Sequence, residues 1–115
     1  MFNFLKKKQL KVLDMDELKE AKAYLETNPK ILFNPYPSYD SRIYTVLHSL
    51  GVDDMYMNNH DKINDKPIET MSLENLKTMY TFILRAERFC DGAIAGYVED
   101  GSLAKMVKRE IELLE

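Results

Sequence analysis

The fold class turns on SLENLKTMYTFILRAERFCDG, residues 72–92. Placed on a wheel of about 100° per residue, this stretch separates into two arcs. One carries Phe89, Phe82, Ala86, Met79, Cys90, Ile83, Leu76, Tyr80, Leu73 and Leu84. It spans roughly 200°, wider than the stripe of a helix that covers a core from one side only. The other carries Lys77, Arg88, Thr81, Glu74, Arg85 and Thr78, the make-up of a solvated face. A helix opened by Ser72 and running to Phe89 or Cys90 is therefore expected at the centre of the molecule, packed on two sides. Asp91-Gly92 then breaks or bends the chain.

Outward from this helix, the remaining segments also read as helices. On the C-terminal side, a short helix through Ala93, Ile94, Tyr97 and Val98 ends at Gly101. Ser102 is expected to cap a last helix whose face is Leu103, Met106, Val107, Ile111 and Leu114. On the N-terminal side, residues 52–69 are rich in turn formers such as Asn58, Asn59, Asp61, Asn64 and Pro67, and read as an ordered loop with at most a helical turn. Before it, Asp40 or Ser41 caps a helix with the stripe Ile43, Val46, Leu47 and Leu50, closed by Gly51. Pro29, Pro35 and Pro37 make residues 29–39 an extended connector. Asp14, with Glu17 three positions on, opens the first helix; Leu18, Ala21 and Leu25 share its face, and Asn28 before Pro29 stops it. Strand alternation is weak throughout, and no Asn-Gly or Asp-Gly hairpin joins two β-branched runs. The expected fold is all-α: one domain over residues 13–115, a bundle of about four to five helices around the helix near 72–90. A basic arm over residues 1–12 precedes it.

Composition narrows the function. Of 115 residues, 45% are hydrophobic, enough for a core. Lys6, Lys7, Lys8 and Lys11 carry four positive charges, so with a net charge of −3 the rest of the chain carries −7. An acidic body repels a nucleic-acid backbone, so nucleic acid is not an expected partner. No apolar run reaches the roughly 18 residues of a membrane span. Cys90 is the single cysteine and His48 and His60 the only histidines, which leaves no disulfide, no thiolate metal site and no expected metal or cofactor. The absence of a secretory apolar region at the start points to the cytoplasm. Glycine-rich phosphate loops, serine elbows and zinc spacings are all missing, so no residue is assigned a catalytic role.

One charge falls in the wrong arc. Glu87 lies between Leu76 and Tyr80 on the apolar side, where a carboxylate is costly unless paired. Arg42 on the second helix is the first candidate partner, with a tyrosine hydroxyl or a backbone donor as alternatives. Asp91, four residues on, is expected to cap the helix after Gly92. Glu87, Asp91 and Arg42 are thus read as a structural charged core. Arg85 and Arg88 are the candidate binding residues, with Arg88, nearer the apolar edge, leaning to a structural role and Arg85 to recognition.

The run from Leu76 to Gly92 resembles the signature of a bacterial family, domain of unknown function 6508. That signature reads Leu-Thr-x-x-x-Arg-x-(Asp/Glu)-Arg-Phe-x-(Asp/Glu)-Gly. The tail from Glu99, with Asp100-Gly101-Ser102-Leu103 and a short amphipathic helix, is similar as well. The likeness covers residues 72–115 and fades towards Tyr39. It implies that Arg85, Glu87, Arg88, Asp91 and Gly92 form the family's charged core. Tyr80 and Ala93 depart from the pattern, which commonly has leucine and a larger residue there. No activity follows from the resemblance. The first functional expectation is an adaptor or regulator acting through protein contacts, with a homo-oligomer open. The alternative is a small-molecule or anion site, with weak hydrolytic chemistry at most, built on Arg85, Glu87, Arg88 and Asp91. A pocket with Glu87 at its floor favours the ligand, and a flat apolar patch favours the partner.

Overall fold

The computed structural model describes residues 15–115, so the basic arm of residues 1–12 and the expected cap Asp14 lie outside the described residues. Helix α1 occupies residues 15–25 and buries Leu18, Ala21 and Leu25, the face its spacing predicts. It closes through Asn28 at φ 56°, a left-handed position that asparagine tolerates and that Pro29 follows. The connector folds into a small antiparallel hairpin, β1 (Leu32–Phe33) with β2 (Pro37–Ser38), in which Leu32 pairs with Ser38 and Phe33 with Pro37. Helix α2 (Ser41–His48) is capped by Asp40, whose carboxylate accepts from the Arg42 backbone N–H, and it buries Ile43, Val46 and Leu47.

Residues 52–69 hold more helix than their turn-forming composition suggests: helix α3 spans Tyr56–Ile63, and a 3-10 turn spans Ile68–Thr70. The reason is tertiary. Asp53 lies just ahead of α3, and its carboxylate accepts from the Met55 backbone, the Asn59 amide and the Thr78 hydroxyl. The Asp53 N–H in turn donates to Thr81 Oγ1, 3.0 Å away. Weak local propensity is overridden by docking on the next helix.

That next helix, α4 (Leu73–Phe89), is the longest and sits at the centre, against α2, α3, α5 (Ala93–Glu99) and α6 (Ser102–Leu114). Ser72 accepts from the Asn75 N–H while the Asn75 side chain accepts from the Ser72 N–H, a reciprocal capping box. Leu76, Tyr80 and Ile83 are fully buried among Leu18, Ile43, Leu47, Ile94, Val98, Leu103 and Val107. The architecture is all-α, with six helices among the described residues.

The two arcs of α4 need correcting at both edges. Thr78 and Thr81, placed on the solvated side, are buried because α3 and Asp53 cover them. Phe89 and Cys90, placed on the apolar side, are exposed, Phe89 by 87%. No residue of α4 beyond Ile83 is buried, so its last turn overhangs the core. A wheel assumes neighbours along the whole helix, and here they stop short. The cap of α6 is also displaced: Gly101 at φ 86° occupies the N-cap, Ser102 is the first helical residue, and Asp100 accepts its N–H.

Candidate functional site

The overhanging end of α4 and the outer side of α2 border a cleft of about 320 Å³. From α4 come Thr81, Leu84, Arg85, Glu87 and Arg88; from α2 come Tyr44 and His48; Val52 and Ile94 complete the wall. The helical spacing explains the grouping, because residues three and four apart stand on one side of a helix: Arg85 with Arg88, and Tyr44 with His48.

Glu87 borders this cleft half-buried, with both oxygens engaged. Its Oε2 accepts from the Gly92 N–H at 3.1 Å, and its Oε1 accepts from the Ile94 N–H at 2.8 Å and from the Tyr39 hydroxyl at 3.0 Å. The Tyr39 oxygen accepts in turn from the Ala95 N–H at 3.3 Å. Glu87 therefore caps α5 from the end of the preceding helix, meeting orphan N–H groups with a negative charge where the helix dipole favours one. Burial, and next the bond to Glu87, raise the Tyr39 hydroxyl above its ordinary value.

This arrangement corrects three expectations. Arg42 does not reach Glu87; its guanidinium grips Asp40, with Nε to Oδ1 and Nη2 to Oδ2 both at 2.9 Å, and lies 4.1 Å from the centre of the Tyr24 ring. Asp40 is only two residues away, and a bidentate local pair needs no rearrangement. Arg42 holds the Asp40 carboxyl down at about 2. Asp91 does not cap α5: it is exposed, and Gly92, at φ 101°, is the N-cap. Arg88 does not brace the bundle either: it is exposed, and the carboxylates of Glu99 and Asp100 at the end of α5 accept from the N–H groups of Ile31 and Ser102.

Arg85 and Arg88 have no carboxylate within ion-pair distance among the described residues. The contrast is internal: Arg42 pairs with Asp40, and Arg109 donates to the Met71 carbonyl and lies 3.7 Å from Glu112. The aromatic wall opposite is ordered. The Tyr44 and His48 rings are near-parallel, 23° apart with centroids 6.3 Å apart, and the Tyr39 ring stands edge-on to Tyr44 at 6.0 Å. A groove of about 510 Å³ lies elsewhere, along α6. Its lining mixes Lys66 and Lys105 with Glu69, and Lys66 is hydrogen-bonded to the neutral side chain of Asn75.

Sequence reasoning missed Glu110. Fully buried in α6, its Oε1 accepts from the Tyr80 hydroxyl at 2.7 Å and its Oε2 from the Ser49 hydroxyl at 2.8 Å. Burial, followed by the charge of Glu110, pushes the Tyr80 hydroxyl well above its ordinary value. A signal for Glu110 was present, since it stands three residues after Val107 and seven after Leu103, within the apolar face of α6. It lines none of the clefts described above and so serves the core rather than the site.

A family model described as a family of unknown function (DUF6508) matches residues 10–115. The match takes in α1, beyond the reach of the likeness seen in the sequence. No curated protein and no solved structure matches the chain.

Proposed function

The chain belongs to the DUF6508 family, and from that premise we propose that it binds an oxyanion-bearing ligand in the cleft between α2 and α4. One observation carries the reading: two neighbouring guanidinium groups, without a carboxylate partner among the described residues, line the same concave surface. Arginines left unpaired in a chain with more acids than bases are available to an external anion, and their planar donor forks suit phosphate and carboxylate. Glu87 supports the cleft rather than competing for the arginines, because its oxygens serve α5. The proposed setting is a bacterial cytoplasm, where an exposed, unpaired Cys90 is at home. Among the described residues, no helix is long and apolar enough to cross a membrane.

Backbone NMR shifts recorded during titration with inorganic phosphate test this reading. Saturable shifts confined to residues near 44–52 and 81–95 are expected, lost in an Arg85→Ala/Arg88→Ala double variant whose melting temperature stays close to the parent's. Arg85→Ala and Arg88→Ala should each change stability by no more than about 0.5 kcal/mol, as for surface sites. Shifts that persist unchanged in the double variant would sink the proposal.

A second reading, a protein-contact surface, has its own support. Leu32 and Tyr36 of the hairpin are 75% and 70% exposed, and Phe89 is exposed too. Phe33 brings the hairpin to the junction between α4 and α5, where its ring would stand 3.2 Å from a Cβ at Gly92. Concentration-dependent sedimentation that disappears in Leu32→Ser/Tyr36→Ser would favour this surface as a self-association site.

A further inference from the structure

Resting on that reading of the cleft, we infer that its ligand is a phosphate monoester with a flat aromatic body, the phosphate on Arg85 and Arg88 and the ring against Tyr44 and His48. Charge selects the phosphate. A phosphomonoester carries about −1.5 to −2 near neutral pH, which two guanidinium groups match, whereas a carboxylate carries −1. Size selects a body beyond the anion: about 320 Å³ far exceeds a bare tetrahedral ion and falls at the low end of the roughly 300–1,000 Å³ typical of small-molecule sites. The lining selects the character of that body. Val52, Leu84 and Ile94 supply apolar wall, while Tyr44 and His48 present stacked rings one helical turn apart. Tyr39 stands edge-on to Tyr44 while its hydroxyl is tied to Glu87 and α5, so the aromatic wall is oriented before any ligand arrives. A ring held in place gains stacking energy at little entropic cost.

The experiment is isothermal titration calorimetry of the full chain with methyl phosphate, cyclohexyl phosphate, phenyl phosphate and benzoate. Phenyl phosphate should bind about tenfold tighter than methyl phosphate, the gain expected of a good aromatic contact plus apolar burial. It should also bind tighter than cyclohexyl phosphate, which has a similar size without a π-face. Tyr44→Leu, at a position 39% exposed, should abolish the phenyl advantage over cyclohexyl phosphate. Arg85→Ala should weaken all three esters alike. Esters that bind through Arg85 without preference for the aromatic one would overturn this inference and leave the anion site standing. Benzoate as tight as phenyl phosphate would overturn the choice of a dianion. No ester binding at all would overturn both the inference and the reading beneath it.

Discussion

At the scale of single residues, two carboxylates on apolar helix faces have different duties. Glu110 is enclosed, and the hydroxyls of Tyr80 and Ser49 donate to it. Glu110→Ala should lower stability by about 3 kcal/mol, because it strips the Tyr80 hydroxyl of its acceptor and opens a void in the core. Tyr80→Phe removes one bond while keeping the volume, and should cost about 1–2 kcal/mol. Urea denaturation of both variants checks the order, and a Glu110→Ala protein as stable as the parent would mean that the carboxylate contributes nothing there. Glu87 was conspicuous on the α4 wheel, but the wheel could not name its donors. They come from Tyr39 and from residues 92–94, after the chain has turned back.

At the scale of elements, the turn between α4 and α5 depends on two devices. Gly92 adopts φ 101°, a backbone conformation that side chains resist, and Phe33 stands where a Cβ would project. Glu87 then satisfies the first N–H groups of α5. Gly92→Ala should destabilise by about 1–2 kcal/mol through strain and crowding, and Glu87→Ala by a similar amount through loss of the cap. Hydrogen exchange offers the sharper readout: in Glu87→Ala the amides of Gly92 and Ile94 should exchange much faster, with those in the middle of α6 unaffected. Equal acceleration throughout the chain would show that α5 has no separate dependence on this cap. The glycine was legible in the sequence as a break. That a glutamate five residues earlier would cap the new helix was not, since the reach depends on the angle of the turn.

For the molecule as a whole, acid stability reflects where the side-chain partners lie. Arg42 holds Asp40 at about 2, while Asn59 and then Thr78 lower Asp53. A carboxyl depressed on folding adds stability above its ordinary value, and that stability is lost as the pH falls towards the folded value. The melting temperature should therefore drop as the pH falls from about 4 towards 2, and Asp53→Asn should flatten that fall. An Asp53→Asn profile parallel to the parent's would show that Asp53 takes no part. Hydrophobic spacing by itself determined the helical class, the central place of α4 and the inner faces of α1, α2 and α6, because a period of 3.6 residues sorts side chains before any neighbour is known. It also set the two arginines three residues apart, on one side of a helix. Only the tertiary structure decided that α3 would form, that Arg42 would turn to Asp40, and that Arg85 and Arg88 would share a cleft with Tyr44 and His48. Those outcomes depend on which groups meet across the chain, and hydrogen bonds and ion pairs act only over a few ångströms that no spacing along the sequence records.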